Sequence, residues 1–145
     1  MATDTVEKLN AFLRGEISAV DTYRHAIDKL SDKPIAASLS ESLRSHEQRV
    51  TLLKNEILRR HGEPTHGAGP WGAFAKLIAG GARPFPEKGA VLALEEGENA
   101  VREQYQRELP KLDPEARGFL EKNILPEQLR TLGTITRLKK QLAAA

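Results

Sequence analysis

Residues 9–30 read LNAFLRGEISAVDTYRHAIDKL, and Leu9, Leu13, Val20, Tyr23, Ile27 and Leu30 recur through them at steps of three and four once Glu16 fills the slot between Leu13 and Val20. That alternation is the mark of a helix with one buried face. Asp4, with Glu7 three residues on, reads as a capping box that opens the helix. The end is predicted near Ser31, ahead of Pro34, for a length of roughly 40 Å at about 1.5 Å per residue.

Working outward, the same alternation returns in Leu39, Leu43, His46, Val50, Leu53 and Ile57, with Gly62 and Pro64 as the stop. A third seam runs Val91, Leu94, Glu98, Val101, Tyr105 and Leu109 and stops at Pro110. A fourth carries Leu120, Ile124, Gln128, Leu132, Ile135, Leu138 and Leu142. It opens at Asp113-Pro114, a cap followed by proline at the first helical position, and Pro126 predicts a kink inside it. Residues 62–89 break the pattern with Gly67-Ala68-Gly69-Pro70 and Arg83-Pro84-Phe85-Pro86. Between them, Trp71, Phe74, Ala75 and Ile78 share one face of a short helix, read as a lid on the core or as a contact for a membrane surface or a protein partner through Trp71 and Phe74.

The outer connections are short and join antiparallel neighbours, whereas the middle one can travel the length of the molecule. The fold expected is therefore all-α: a four-helix bundle of two antiparallel hairpins joined by a long crossover with a short helix in it. The chain's 145 residues suit one domain, 1–145, with 62–89 as the crossover. Composition narrows the chemistry. Zero cysteines remove disulfides, thiolate metal sites and a cysteine nucleophile. There is no Gly-x-Ser-x-Gly, and no glycine run has the spacing of a phosphate loop. A net charge of +2, with acids and bases interspersed, makes no case for nucleic acid. No apolar stretch approaches the roughly 20 residues of a membrane span, and Met1 to Asn10 lacks a basic-then-apolar leader, so the expected compartment is the cytoplasm.

Gly15-Glu16, with Tyr23 seven residues after the glutamate, recurs as Gly97-Glu98 with Tyr105, an offset of 82. The same offset sends His46 to Gln128, whereas an offset of 81 pairs His46 with Glu127 and Arg49 with Arg130. On either register a polar layer crosses the core, drawn from Glu16, Tyr23, His46, Arg49, Glu98, Tyr105, Gln128 and Arg130. Two buried carboxylates cost several kcal/mol each unless something compensates them. The candidates are a metal ion, the guanidinium groups of Arg49 and Arg130, or the Tyr23 and Tyr105 hydroxyls.

At these residues the chain resembles the ferritin-like superfamily, in particular a bacterial branch known as domain of unknown function 2383. Leu9 through Tyr23 looks like the first helix of those proteins, where the glutamate is a metal ligand with the tyrosine close by. Leu94-Glu95-Glu96-Gly97-Glu98 is similar to their third helix. Di-iron members carry Glu-x-x-His on the second and fourth helices; here those places read His46-x-x-Arg49 and Glu127-x-x-Arg130. Arginine stays protonated and offers no lone pair to a metal. The resemblance therefore implies a degenerate, metal-free site in a structural, binding or stress-associated role, with no redox chemistry of its own, and a dimer as the oligomer. The alternative it leaves is a metal-binding carboxylate protein of oxidase type, with iron or manganese held by Glu16, His46, Glu98 and Glu127.

Overall fold

The computed structural model describes residues 2–67, 69–80 and 86–144; Ala68 and the Arg83-Pro84-Phe85 punctuation lie outside them. Among the described residues six α-helices follow in order, α1 (Ala2–Lys29), α2 (Lys33–Arg59), α3 (Gly72–Ala79), α4 (Glu87–Glu108), α5 (Pro114–Asn123) and α6 (Leu125–Ala144), with a 3-10 turn at Leu109–Lys111. The described residues contain no strand, and none of their helices is long and apolar enough to cross a membrane.

Local chemistry sets the boundaries. The capping box expected at Asp4 and Glu7 is corrected: α1 already begins at Ala2, so Asp4 sits in its first turn and takes a 3.1 Å ion pair from Lys8. A carboxylate there still suits the positive end of the helix. Asp32 caps α2 by accepting from the Ile35 N–H at 3.0 Å, with Pro34 in the first turn. At the other end the Gly62 N–H donates to Ile57 O and the His61 N–H to Leu58 O. The residue that turns left-handed in this Schellman ending is His61, with φ 61°, rather than a glycine. Gly62 is needed for space: a Cβ there would stand 2.7 Å from Val6. Asp113 caps α5 through the Ala116 N–H at 2.8 Å. The kink expected from Pro126 is a one-residue interruption at Ile124 (φ −113°, ψ −52°) that divides the fourth helical run into α5 and α6.

The contacts give the helix directions. Tyr23 on α1 reaches Glu98 on α4 while Tyr105 on α4 reaches Glu16 on α1, so the two helices run antiparallel. On α4 and α6, Glu95 meets Thr136 and Lys139 while Glu98 meets Gln128 and Thr131, again antiparallel. The connection after α2 climbs α1: Asn10 donates to Glu63 O at 2.9 Å and accepts from the Thr65 N–H at 2.8 Å, and the Trp71 N–H then donates to Thr22 Oγ1 at 2.8 Å. Twelve residues of α1 separate Asn10 from Thr22, a climb of about 18 Å at 1.5 Å per residue.

The apolar core lies in two parts. One gathers Tyr23, Leu30, Leu39, Phe74, Leu94 and Ile135; the other gathers Leu9, Leu13, Leu53, Tyr105, Leu120 and Ile124. α3 closes over the first with Phe74 fully buried, and Trp71, half-buried, touches both. Of the two readings of this short helix, the packing agrees with the lid: Phe74 and Trp71 pack on the protein's own core, where burying such a side chain contributes about 1.5–3 kcal/mol.

Candidate functional site

Between the two apolar parts, α1, α2, α4 and α6 each send polar side chains to one level. Glu16, His46, Arg49, Glu98, Gln128 and Thr131 are all buried there, with Tyr23 and Tyr105 beside them. His46 is the bridge. Its Nδ1 lies 2.6 Å from Glu16 Oε1 and its Nε2 2.8 Å from Glu98 Oε2. Tyr23 donates to Glu98 Oε2 and Tyr105 to Glu16 Oε2, both at 2.6 Å. Arg49 donates to Thr131 Oγ1 at 2.9 Å and, at a longer 3.4 Å, to Glu16 Oε2; Thr131 in turn donates a hydrogen bond to Glu98 Oε1 at 3.0 Å. Gln128 donates to the backbone carbonyl of Glu98 at 3.2 Å.

Helical spacing explains who meets whom. His46 and Arg49 stand three apart on α2 and project toward one level. Tyr23 and Tyr105 lie two turns along from Glu16 and Glu98, and the antiparallel crossing makes each tyrosine serve the other helix's glutamate. The two 2.6 Å bonds are thus one interaction repeated about a pseudo-two-fold axis. The register of that repeat is the offset of 82. Ser45 bonds Glu127 and Arg49 bonds Thr131, each pair 82 apart in sequence, while Gln128, the counterpart of His46, is buried.

The electrostatics are self-contained. Burial pushes Glu16 up, but Arg49, His46 and the Tyr105 hydroxyl outweigh it and hold the carboxyl at about 2. Burial likewise opposes ionisation of Glu98, and His46, Arg49 and Tyr23 prevail, leaving it below the usual carboxylate range. For His46, burial favours the neutral ring, yet Glu98 and Glu16 win against burial and Arg49 together, so its pKa rises above 6.5. A protonated imidazole donates from both nitrogens, one to each carboxylate. Arg49 Nη2, 3.1 Å from His46 Nε2, is then a second cation over the same pair of anions rather than a donor to the ring. Burial first, and the adjacent glutamates second, raise both tyrosines well above 10, so they remain neutral donors. Two carboxylates face two cations, and the layer sums to zero charge.

Two residues expected at this level stand elsewhere. Arg130 is on the surface, paired with Glu127 at 2.8 Å, its side chain 46% exposed; this corrects its placement in the core. Glu127 is half-buried and bonded to Ser45 and Arg130, and Arg130 with Ser45 holds its carboxyl at about 2. Both follow from the register, because an offset of 81 is one residue, about 100° of helix, away from the core face. Thr131 was not anticipated, being neither apolar nor charged; its signal was the offset of 82 from Arg49. Trp71 likewise belongs to the site. Its ring stands edge-on to both Tyr23 and His46, each at 6.1 Å. It lies flush on Gly97, where a Cβ would come within 1.9 Å of the indole. The Gly-Glu pair of α4 thus combines a carboxylate with the gap that admits its cover.

As a metal centre the donor set does not fit. All four oxygens of Glu16 and Glu98 accept hydrogen bonds, both imidazole nitrogens are engaged, and a guanidinium stands against the carboxylates. Among the described residues no group of three or more His, Asp or Glu is disposed to hold a metal ion.

Known proteins give one point of comparison. No curated protein and no solved structure matches the chain. A family model described as a domain of unknown function, DUF2383, matches residues 4–111, which takes in Glu16, Tyr23, His46, Arg49, Glu98 and Tyr105. With nearly all of α1, the whole of α2 to α4 and six members of the buried layer inside that match, the chain belongs to the DUF2383 family.

Proposed function

We propose that this chain is a ferritin-like four-helix bundle in which a closed, charge-neutral ionic network replaces a metal centre, and that it serves as a non-enzymatic structural or binding module. Support for the bundle comes from the antiparallel pairing of α1 with α4 and α4 with α6, and from the connection that climbs α1 before α4 begins. The observation that carries the functional reading is the placement of the two cations. His46 bridges Glu16 and Glu98 through both ring nitrogens, and the Arg49 guanidinium lies against the same pair. A metal would have to displace a wholly buried guanidinium from the anions that compensate it. The network instead fixes helix register, since every bond made by the Glu16 and Glu98 carboxylates joins two different helices.

The second reading, a carboxylate metal site of iron or manganese, draws on the convergence of Glu16, His46 and Glu98 at one level. Elemental analysis followed by anaerobic Fe(II), Mn(II) and Zn(II) titration separates the two. Absence of stoichiometric binding, with Glu16→Ala changing stability but not metal content, is the expected result. One or two ions per chain, lost in Glu16→Ala, would overturn the network reading in favour of the metal site.

A further inference from the structure

Leu92 stands 50% exposed on the outer side of α4, and the residues one turn to either side of it on the same row, Lys88 and Glu96, are exposed as well. Glu95, next to that row, is taken by Lys139, but Lys88 and Glu96 form no hydrogen bond or ion pair among the described residues. The surface on both sides of the row is grooved, toward α3 by Leu77, Gly89 and Ala93 and toward α6 by Val91 and Leu142. A single exposed leucine is ordinary, whereas one raised between two apolar grooves has the form of a contact surface. The internal repeat marks the same face. The offset of 82 carries Lys88 and Leu92 back to Val6 and Asn10 on α1. There the equivalent face is covered by the connection after α2, with Gly62 against Val6 and Asn10 bonded to the backbone of Glu63 and Thr65. On α4 no such strap crosses Leu92 among the described residues.

We propose that this face of α4 is an interface between two copies of the chain, each presenting it to the other. A two-fold axis at Leu92 makes the two α4 helices antiparallel and sets each position before Leu92 against the position equally far after it in the second copy. Lys88 lies four residues before Leu92 and Glu96 four residues after. Each lysine therefore meets the other copy's glutamate, and the pairing occurs twice. A parallel arrangement would set lysine against lysine, so the charges select the antiparallel one. Shape agrees with charge. Lys88, Leu92 and Glu96 form a ridge along the row of every fourth residue, the row that interlocks in the commonest packing of two helices. The groove beside it has Gly89 and Ala93 as its floor, and these small residues admit the ridge of the second copy. Leu92 leaves water at the centre while the ion pairs close the two ends, the order of apolar core and polar rim found in protein interfaces.

Analytical ultracentrifugation of the full chain over a concentration series tests this, with far-UV circular dichroism to establish that each variant keeps its helices; all the substitutions fall at exposed positions. The wild type should sediment as a reversible dimer. Leu92→Glu buries a carboxylate at the axis and should raise the dissociation constant about a hundredfold or more. Lys88→Glu and Glu96→Lys each turn both ion pairs into like-charge contacts, so each alone should raise it about tenfold. Mixed in equal amounts, those two single variants should recover the wild-type constant, because one copy is then acidic at both positions and the other basic at both. A wild type that stays monomeric at every concentration, a dimer indifferent to Leu92→Glu, or a mixture no tighter than its components would overturn the proposal.

Discussion

Removing one cation from a neutral buried layer should be far more damaging than its few hydrogen bonds imply. Arg49→Met keeps a long unbranched side chain, so the cavity left behind is small, but it takes the layer from zero charge to one net negative. The guanidinium stands 3.4 Å from Glu16 Oε2, an attraction of about 5 kcal/mol at an effective dielectric of about 20. Part of it is offset because methionine costs nothing to desolvate. Removing one partner from a buried pair typically costs about 3–5 kcal/mol, and that range is expected here. Against a total stability of about 5–15 kcal/mol, the loss is readable in urea unfolding followed by far-UV circular dichroism. Two further features identify charge as the cause. The double variant Arg49→Met with Glu16→Gln restores neutrality, so it should be less destabilised than the sum of the singles by about 1–3 kcal/mol. The deficit of the single variant should also shrink in acid. Without Arg49 the Glu16 carboxyl loses the foremost of the charges that hold it at about 2 and sits higher, so the variant has less left to lose than the wild type as pH falls below 4.5. An Arg49→Met variant within about 0.5 kcal/mol of the wild type, or a double variant no better than additive, would refute the balance of charge as the organising feature.

Because Tyr23 and Tyr105 make the same 2.6 Å bond about the pseudo-two-fold axis, Tyr23→Phe and Tyr105→Phe should each cost about 1.5–3 kcal/mol. Unfolding midpoints that rank the two variants far apart would count against the equivalence. Gly97→Ala drives a methyl into the Trp71 ring and should shift tryptophan fluorescence and lower stability, while Gly15→Ala, whose nearest neighbour is Gln104 at 3.4 Å, should be neutral or gain up to about 1 kcal/mol of helix propensity. Equal effects at the two glycines would remove the argument for a seated indole. The pH profile has a worked sign on both sides. Glu16, held at about 2, contributes fully above 4.5 and loses its contribution as pH falls toward 2; His46, raised above 6.5, contributes fully below 6.5 and loses it as pH rises through its folded value. Urea midpoints should therefore peak between 4.5 and 6.5, and His46→Gln should flatten the alkaline limb; stability that climbs above pH 6.5 would contradict the bridged imidazolium.

The readable part of the molecule was the part that periodicity controls. A helix that buries one face must repeat its apolar residues at three and four, so Leu9 to Leu30 and its three counterparts announced themselves, as did the polar intruders Glu16, His46 and Glu98. What periodicity cannot supply is register between helices. Offsets of 81 and 82 differ by one residue of α6, and either satisfies the local pattern; only packing decides that Gln128 and Thr131 turn inward while Glu127 and Arg130 pair on the surface. Helix ends were legible where a cap stood beside a proline, as at Asp113-Pro114, and illegible at α1, where Asp4 suits the first turn as well as the cap. Trp71 was legible as part of a lid but not as part of the site, because its seat there is Gly97, 26 residues away, and the loss of a side chain leaves no trace in a hydrophobic pattern.

The repeat itself shows why one layer of this composition needs both halves of the chain. α1 and α4 carry the same set, a glycine, a glutamate and a tyrosine, but α2 and α6 do not: His46 and Arg49 on α2 answer to Gln128 and Thr131 on α6. A layer built from two copies of the first half would hold two carboxylates against four cations. One built from two copies of the second would hold two carboxylates against none. Either would bury two uncompensated charges, a cost of several kcal/mol each. Only the mixed layer closes at zero, with Thr131 accepting from Arg49 where a second arginine would repel it and Gln128 donating to a carbonyl where a second imidazolium would find no free carboxylate. The asymmetry between α2 and α6 is thus the condition for the symmetry between α1 and α4.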